Sequence, residues 1–471
     1  MARQIDRPGK AIVRAVLCVP PPVSPDHPLV GMAMVAAVLQ SRGIETEVLD
    51  LNARLASSGK WPERLWRKEG FDSWSHSDFR RQVRPVLTNL LDSCLDRPVD
   101  LIGLHVASAS RDMAKELAVL ARERRPEAMI IAGGPEFFSS PDAIDPDLPY
   151  DHIFLGEVEV SLGRWLDASG LRRGGAKCIP SEGADLARQP LPNYSLFPLA
   201  AYARPGVLPM EVSRGCVNHC AFCDDSRMWK GYRRKPDSRL RQELAALAGL
   251  GARHVSFCDS LLNPSAGMFH GLLRLLEEYG LPWDGMVQAR EILPETARLM
   301  RRSRCAGVFV GIESFSRSFL RLLRKEHAAA HGEKALLYLA AESVPASMGL
   351  IVAGPPLQTR EEFEHDLRVL ARVAPSLASV AINPLCIPAG TPLAEAGESL
   401  GIKGLGERLS WKFWHAGQGI EDVRLRLAWC REAAELLAAA GVPLGANYDE
   451  FDLYLADQLR DAKKHFAEGG Q

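Results

Sequence analysis

The stretch EVSRGCVNHCAFCDDS, residues 211–226, carries three cysteines with the spacing C-x-x-x-C-x-x-C. These cysteines, Cys216, Cys220 and Cys223, follow directly after the apolar run 208–212, which predicts a β-strand. Thiolates are soft ligands that suit iron–sulfur clusters. Three thiolates on one short loop satisfy three irons of a [4Fe–4S] cube and leave the fourth iron open for another ligand. The spacing therefore predicts an open-site cluster at the end of a strand.

Two other interpretations of this loop stay open. A zinc site with His219 as the fourth ligand is one of them, although structural zinc sites normally draw their ligands from two separated pairs. A chance grouping of buried thiols is the other. The remaining cysteines stand apart from one another, so each predicts a small buried hydrophobic residue. They are Cys18, Cys94, Cys178, Cys258, Cys305, Cys386 and Cys430.

The chain around and after the cysteine loop alternates strand-like with helix-like patterns. Helical patterns cover, for example, residues 239–250 and 361–373. Successive strand–helix units of this kind predict a partial (β/α)6 version of the TIM-like barrel, in which chemistry takes place at the carboxyl ends of the strands. The predicted strands are 208–212, 254–257, 284–288, 307–312, 347–352 and 379–384.

The first part of the chain shows a similar alternation and predicts a doubly wound, Rossmann-like parallel sheet. Ligands of such sheets lie beyond the carboxyl ends of the strands. Gly133-Gly134 and Gly156-Glu157 fall at two of these ends. The predicted strands are 11–19, 46–51, 100–106, 129–132 and 152–155, and the predicted helices are 31–40, 61–95 and 113–124.

These patterns divide the α/β chain into four predicted segments. A Rossmann-like domain covers residues 1–167, and a linker rich in proline and glycine covers 168–204. The barrel covers 205–390, and a mainly helical capping region covers 391–471.

Composition narrows the class of protein. The chain has 57 Lys and Arg against 58 Asp and Glu, so no global basic field attracts nucleic acid or an anionic membrane. No apolar run is long enough to span a bilayer, and the run 11–19 contains Arg14 and lacks a cleavage site for a signal peptase. We therefore expect a cytoplasmic protein without disulfides, membrane span or nucleic-acid partner.

The cysteine loop, with Phe222 before its last cysteine, resembles that of the radical S-adenosylmethionine (SAM) superfamily. The resemblance extends over most of residues 205–390. In that family SAM binds the open iron, and one electron cleaves it to methionine and a 5′-deoxyadenosyl radical that abstracts hydrogen. The resemblance implies a [4Fe–4S] cluster, SAM, and an external electron donor such as flavodoxin or ferredoxin.

The same resemblance implies contacts between SAM and side chains at the strand ends. Phe222 is expected against the adenine, and Asp259 and Ser260 in HVSFCDS near the amino group, although the Gly-Gly-Glu sequence of many members is missing here. Arg290 in MVQARE is expected to pair with the carboxylate, and Glu313 in GVFVGIES to contact the ribose. A structural polar network at the strand ends is the alternative for Asp259, Arg290 and Glu313.

The N-terminal segment resembles the cobalamin-binding domain of cobalamin-dependent radical SAM enzymes. The matching pieces are PLVGMAMVAAVLQSRG, EVLDLN, DLIGLHVASAS, IIAGGPEF and FLGEVEVSL. In the family, glycines in two loops let the backbone approach the nucleotide tail of cobalamin. The residues that the resemblance places around this tail are Ser108, Ser110, Gly133, Gly134, Gly156 and Glu157.

The N-terminal segment departs from other cobalamin proteins in two places. The motif Asp-x-His-x-x-Gly is absent, and His105 lacks its context, so this motif supplies no histidine ligand to cobalt. Val158 stands where the family usually has a third-place glycine. A domain that no longer binds cobalamin, and a generic doubly wound domain with unrelated loops, therefore stay open.

The resemblance implies methyl transfer from methylcobalamin to an unactivated carbon of a small molecule, such as a natural product or a lipid intermediate. Cyclisation or rearrangement without net methylation is the first alternative, and a radical SAM reaction without cobalamin is the second. RNA methylthiolation needs further cluster cysteines and a basic RNA-binding module, neither of which is evident. A cobalamin or redox sensor is the non-enzymatic alternative, but it leaves the open-site cysteines unexplained.

Overall fold

A computed structural model describes residues 12–137, 144–145, 147–169, 178–229, 231–405, 410–445 and 451–467. The chain divides into two compact units. The first unit comprises Met1–Pro209 and Ser238–Ala252, and the second comprises Met210–Asp237 and Arg253–Gln471. The predicted division into four segments stays a prediction.

The first unit is built on a six-stranded sheet in which all strand pairs are parallel, with the order β2-β1-β3-β4-β5-β6. Every residue of β1 is buried, as in a sheet that is covered on both faces. This order places the switch point between β1 and β3. The strands are β1 (Arg14–Val19), β2 (Glu45–Asp50), β3 (Leu101–His105), β4 (Met129–Gly133), β5 (His152–Phe154) and β6 (Cys178–Ile179). The helices are α1 (Val30–Gln40), α2 (Leu51–Ser57), α3 (Ser77–Cys94), α4 (Arg111–Arg124) and α5 (Glu159–Ser169).

The prediction of one helix over residues 61–95 is wrong in its first half. Two 3₁₀ helices, Glu63–Trp66 and Lys68–Ser75, precede α3. The backbone folds back tightly here, since a Cβ at Gly70 would lie only 2.0 Å from the carbonyl oxygen of Arg64. Such a close approach of two backbone segments requires glycine, and it interrupts the helical pattern.

The second unit contains most of a second six-stranded sheet, with the order β14-β13-β12-β11-β10-β7. Each strand lies beside its predecessor in the sheet, which is the arrangement of the predicted partial barrel. The strands of this sheet are β7 (Val207–Met210), β10 (His254–Phe257), β11 (Trp283–Gln288), β12 (Cys305–Glu313), β13 (Ala346–Val352) and β14 (Ser379–Pro384). A short antiparallel ribbon is formed by β8 (Ser213–Arg214) and β9 (Arg233–Arg234).

The helices that follow these strands begin and end at recognisable caps. In α8 the hydroxyl of Ser265 accepts from Met268, and the left-handed Gly280 ends the helix. A capping box of Thr359 and Glu362 begins α12. These helices are α6 (Asp225–Met228), α7 (Asp237–Gly249), α8 (Ala266–Tyr279), α9 (Pro294–Arg302), α10 (Arg317–Leu322), α11 (His327–Ala341) and α12 (Arg360–Val373).

The C-terminal region is mainly helical, as predicted. Arg426 on α15 is buried and stacks on the ring of Trp414 at 3.6 Å from its centroid. Its Nε donates to the carbonyl oxygen of Ala353, which follows β13, at 2.9 Å, and Nη2 donates to that of Trp414 at 2.9 Å. These bonds join α15 to the barrel. The helices are α13 (Pro392–Glu395), α14 (Ser410–Phe413), α15 (Ile420–Ala439) and α16 (Phe451–Ala467).

Among the described residues, no helix is both long enough and apolar enough to span a membrane. The predicted cellular location stays a prediction.

Candidate functional site

The entry to the cysteine loop is held by a buried ion pair. The Nε of Arg214 donates to both carboxylate oxygens of Glu211, each at 3.0 Å, and the guanidinium lies 5.3 Å from the ring centroid of Trp229. At Gly215, where φ is +81°, a Cβ would lie 2.3 Å from the carbonyl oxygen of Gly231. Only glycine fits this position, so the loop leaves β8 along a fixed path.

Asp259 holds the same segment from the neighbouring strand end. Its buried carboxylate accepts hydrogen bonds from the backbone N–H groups of Val212 and Ser213, at 2.9 and 2.5 Å, and from the Ser213 hydroxyl at 2.6 Å. Burial raises the pKa of Asp259 to about 7, although these hydrogen bonds lower it. Because the chain itself occupies both oxygens, the geometry favours the structural alternative for Asp259 over a contact with SAM.

A second network, which the sequence analysis missed as such, fixes the middle of the loop. The amide of Asn218 donates to Gln288 Oε1 at 3.1 Å. Gln288 and the fully buried Asn263 are joined by three hydrogen bonds of 2.7 to 3.0 Å. The cysteine loop is thereby tied to the carboxyl end of β11. No periodicity or motif spacing signals such amide pairs, since they join residues 25 and 70 positions apart.

The three thiols of the loop are close enough to influence one another. The pKa of Cys223 is raised to about 11, mainly by burial and to a smaller extent by Cys220 and Cys216. Burial also raises the pKa of Cys216, while the backbone N–H of Asn218, 3.4 Å from its sulfur, lowers it. Within the described ranges, no three His, Cys, Asp or Glu side chains are placed to hold one metal ion. A cluster, in contrast, spreads its thiolate ligands over several irons.

Asp225, two residues after the last cysteine, is a site residue that the sequence analysis missed. The hydroxyl of Ser260 donates to its Oδ1 at 2.6 Å. Its Oδ2 is buried without a hydrogen bond of normal geometry, although the Trp229 side chain lies close enough to lower the pKa of this carboxyl. Burial is the largest effect and raises that pKa. The arrangement leaves one buried acceptor beside the cysteine loop, ready for a donor from a ligand.

Glu313 ends β12 with a left-handed backbone, at φ of +70°. Its Oε1 lies 2.8 Å from the ammonium of Lys325, and both side chains are largely buried. Burial raises the pKa of Cys220 and of Cys216, and the charge of Lys325 lowers both values. This effect indicates that Lys325 lies near these thiols. The structure therefore brings the predicted Glu313 to the cysteine loop together with a lysine that the sequence analysis did not single out.

Arg290 and Phe222 occupy different surroundings. Arg290 is exposed, and its Nε donates to Glu291 at 2.9 Å, so its guanidinium retains donors for an anion. Its charge and that of Lys325 both lower the pKa of His327, after the larger effect of burial, which places all three residues in one neighbourhood. Phe222 is half-buried and packs against an apolar cluster that includes Ala221 and Leu323.

In the first unit, the two glycine loops lie side by side at the carboxyl edge of the sheet. A Cβ at Gly133 would meet Val158 Cγ1 at 3.9 Å and the Phe154 carbonyl oxygen at 3.6 Å, which are ordinary contacts. At Gly134, where φ is +126°, a Cβ would lie 2.5 Å from the carbonyl oxygen of Val106. The fold itself therefore requires glycine at 134, with or without a ligand. Gly156 is also left-handed, at φ of +59°.

The polar residues predicted around these loops differ in their availability. Ser110 is fully buried, and its hydroxyl closes a turn by accepting from the N–H of Ala107 at 3.1 Å. Glu157 is buried and accepts from the N–H of Ala184 at 3.3 Å. Ser108 is exposed. The sheet edge thus fits a ligand through its backbone and Ser108, while Ser110 and Glu157 already serve the fold.

A family model decides the class of the second unit. Residues 210–370 match the radical SAM superfamily, and this stretch contains the cysteine loop and strands β10 to β13. This part of the chain is a radical SAM domain. The resemblance inferred from the cysteine spacing is therefore confirmed.

Curated relatives of this chain include methyltransferases and a cyclase. The uncharacterised methyltransferase PH0819 of Pyrococcus horikoshii is 24% identical over 57% of this chain and 63% of its own length. The anaerobic magnesium-protoporphyrin IX monomethyl ester cyclase of Rubrivivax gelatinosus is 21% identical over 64% and 58%. The cobalamin-dependent radical SAM methyltransferase TokK of Streptomyces tokunonensis is 26% identical over 42% and 33%. The chain thus spans less than two thirds of the length of these relatives.

Two solved structures share the fold over a larger part of the chain. The radical SAM methyltransferase TsrM of Kitasatospora setae, with cobalamin and a [4Fe–4S] cluster bound, has a TM-score of 0.67. It is 16% identical, and the match covers 96% of this chain and 99% of that one. The cobalamin-dependent SAM radical enzyme OxsB, with aqua-cobalamin and SAM bound, has a TM-score of 0.60 at 16% identity, over 80% and 54%. The predicted α/β fold class is confirmed.

The radical SAM domain implies an enzyme that uses a [4Fe–4S] cluster and SAM. The loop described above fits the cluster, since it presents three thiols, an N–H directed at one sulfur, and a buried cation nearby. The roles of the individual side chains remain predictions.

Proposed function

We propose that this protein is a cobalamin-dependent radical SAM methyltransferase, which transfers a methyl group to a carbon of a small-molecule substrate. The observation that carries the proposal is the likeness to TsrM with cobalamin and cluster bound, which extends over nearly the whole of both chains. The relatives named methyltransferases agree with it. A natural product or a lipid intermediate is the proposed class of substrate, and a flavodoxin or ferredoxin is the proposed electron donor.

When bound, the cluster with SAM supplies radical chemistry, and cobalamin supplies the methyl group. We assign Cys216, Cys220 and Cys223 to three irons of the cluster. Two networks, around Asp259 and around Asn218, hold this loop in place. Rigid positioning of this kind is the main contribution that a protein makes to cofactor chemistry.

We assign each side chain around the loop to a different group of SAM. The carboxylate oxygen Oδ2 of Asp225 suits the SAM ammonium group, and Ser260 holds that carboxylate in place. Arg290 retains donors for the SAM carboxylate, and Glu313 retains Oε2 for the ribose hydroxyls. Phe222 offers a half-buried aromatic face to the adenine. Asp259 is a positioning residue in this scheme.

We assign cobalamin to the carboxyl edge of the first sheet, at the loops of Gly133 and Gly156 and beside Ser108. The parallel sheet and its order support this assignment, since ligands of such sheets bind beyond the carboxyl ends of the strands. Val158 packs close to Gly133, so this edge retains a side chain where the family usually has glycine.

A second candidate function is ring formation on the same scaffold without net methylation. The similarity to the anaerobic cyclase of Rubrivivax gelatinosus, over 64% of this chain, favours it. The two candidates differ in their products, because methyl transfer consumes a second SAM and releases S-adenosylhomocysteine.

The test is anaerobic reconstitution with iron, sulfide and cobalamin, followed by iron and cobalt analysis of the same sample. We expect about four irons and one cobalt per chain. With SAM and a one-electron reductant, we expect 5′-deoxyadenosine even without substrate, and S-adenosylhomocysteine as the mark of methyl transfer. Iron without cobalt would contradict the cobalamin assignment, and no iron at all would contradict the whole proposal.

A further inference from the structure

The ion pair between Lys325 and Glu313 lies beside the cysteine loop. Lys325 is 8% exposed, and its Nζ lies 2.8 Å from Glu313 Oε1. A buried charge is costly unless it is paired, and this pair meets that condition at the end of β12. Of these two residues, the lysine exerts the larger effect on the Cys220 thiol, after burial.

Two glycines leave room for this pair. A Cβ at Gly311 would lie 2.9 Å from Lys325 Nζ, and a Cβ at Gly349 would lie 2.8 Å from Glu313 Oε2. Both distances are shorter than real side chains allow, so a larger residue at either position would displace the pair. The strands β12 and β13 therefore leave a space that the ion pair fills.

The backbone directs Lys325 toward the loop. Arg324 has a left-handed conformation, at φ of +54°, and the N–H of Lys325 bonds back to Leu320 at 2.8 Å. Two residues earlier, the carbonyl oxygen of Leu323 accepts from the N–H of Ala221 at 2.9 Å. The turn that carries the lysine is thus hydrogen-bonded to the loop that carries the cysteines.

Lys325 interacts electrostatically with each of the three thiols. The charge of Lys325 lowers the pKa of Cys216 and of Cys220. Cys220 and Cys223 in turn raise the pKa of Lys325. Glu313 acts against it, because it raises the pKa of Cys220. On Cys220 the effect of the cation is larger than that of the anion.

We propose that Lys325 raises the reduction potential of the cluster held by Cys216, Cys220 and Cys223, and that Glu313 limits this effect. This inference rests on the proposed cluster. Reduction adds one electron from an external one-electron donor to the cluster, and no bond forms or breaks in that step. The added electron increases the negative charge of the cluster, and a fixed buried cation stabilises that charge more than it stabilises the oxidised state. Lys325 therefore acts through its charge and is not assigned a bond to the cluster.

The two members of the pair have opposite expected effects. Lys325→Met retains most of the apolar stem and removes the cation, so we expect the equilibrium to shift toward the oxidised cluster by about tenfold or more. Tenfold corresponds to about 59 mV for a one-electron couple. Glu313→Gln removes the opposing anion and retains the shape, so the potential should rise. Lys325→Arg retains the charge and should stay close to the wild type.

The experiment is a redox titration of the reconstituted full-length protein without SAM, followed by electron paramagnetic resonance of the reduced cluster. Lys334, exposed on α11, provides the matched control, because Lys334→Met removes the same charge where water and salt screen it. Iron analysis of each variant shows whether the cluster is present. Titration without SAM separates this effect from any loss of SAM binding.

A lower potential in Lys325→Met with a higher one in Glu313→Gln supports the inference. Unchanged potentials, or shifts of both variants in the same direction, overturn it. If Lys325→Met takes up no cluster, the Glu313→Gln variant decides, since only an upward shift agrees with the inference. A wild type without iron refutes the proposed cluster instead, so the two failures are distinguishable.

Discussion

The cysteine loop of the second unit and the glycine loops of the first unit lie at corresponding places, each at the carboxyl edge of a sheet. Around the cysteine loop, the polar side chains leave groups available for a ligand, such as Asp225 Oδ2 and the guanidinium of Arg290. Around the glycine loops, Ser110 and Glu157 accept hydrogen bonds from backbone N–H groups of the fold. At the cysteine loop, side chains provide the groups that can contact a ligand. At the glycine loops, the backbone provides most of them.

Cysteine motifs and glycine motifs therefore differ in how strongly they indicate a functional site. Cysteines on a short loop have few structural uses in a chain without disulfides, so their spacing points to chemistry. A glycine serves the fold as readily as a ligand, and Gly134 is required by the nearby Val106 carbonyl alone. Variants at the two loops test this distinction.

The largest effect is expected for the triple variant Cys216→Ala, Cys220→Ala and Cys223→Ala. It removes every assigned iron ligand, so reconstituted protein should contain no cluster iron. The triple variant Cys18→Ala, Cys94→Ala and Cys305→Ala, which changes buried cysteines outside the loop, is the control and should retain the iron. A full iron content in the first variant would show that these three cysteines do not hold the cluster.

Asp259→Ala should destabilise the protein by about 3 kcal/mol or more. It leaves the buried N–H groups of Val212 and Ser213 without their acceptor. Denaturant unfolding measures this loss. Ser260→Ala, at the next residue, removes one hydrogen bond and should cost only about 1 kcal/mol. Equal costs for the two variants would contradict the positioning role of Asp259.

Gly134→Ala and Gly133→Ala form a matched pair at the other edge. The first places a side chain at φ of +126° and against the Val106 carbonyl, so we expect a loss of about 1–3 kcal/mol in protein without cobalamin. The second meets only ordinary contacts and should cost less than about 1 kcal/mol. Thermal unfolding distinguishes them. If both variants match the wild type in stability, the glycines serve a ligand and not the fold.

Asp225→Asn should weaken SAM binding by about tenfold, which corresponds to about 1.4 kcal/mol, at unchanged iron content. The amide retains the bond from Ser260 but loses the charge that suits an ammonium group. Equilibrium dialysis of SAM with the reconstituted protein measures the change. Asp224→Asn, at the preceding residue, is the control for loss of one negative charge, and an equal effect there would remove the assignment from Asp225.

Much of the fold was predictable because buried strands of parallel sheets are short apolar runs. The predicted strands 254–257 and 379–384 coincide with β10 and β14. The two-residue strand β6 could not be predicted, because it is too short to show any period. The helix predicted from residue 61 was wrong because Gly70 permits a close backbone contact that a periodic pattern does not show.

The candidate site was predictable only where a residue lies on a recognisable motif. The cysteine loop and Glu313 followed from strand ends, but Lys325 lies beyond a helix, and its approach depends on the left-handed Arg324. Asn218 and Asp225 are short polar residues whose roles arise from partners that are 35 to 70 positions away. Such partners are set by topology, which no local pattern contains.

Arg426 also determines when the barrel can be completed during synthesis. It lies 73 residues after Ala353, whose carbonyl oxygen it binds, and it follows Trp414, on which it stacks. At ribosomal rates of roughly 5–20 residues per second, several seconds separate the emergence of β13 from that of its buried partner. Until Arg426 has been synthesised, the Trp414 ring and the carbonyl oxygen of Ala353 lack the guanidinium that they contact in the folded protein. The barrel therefore acquires its contacts with α15 late in synthesis, and we expect chains that stop before α15 to be less stable and more open to proteolysis.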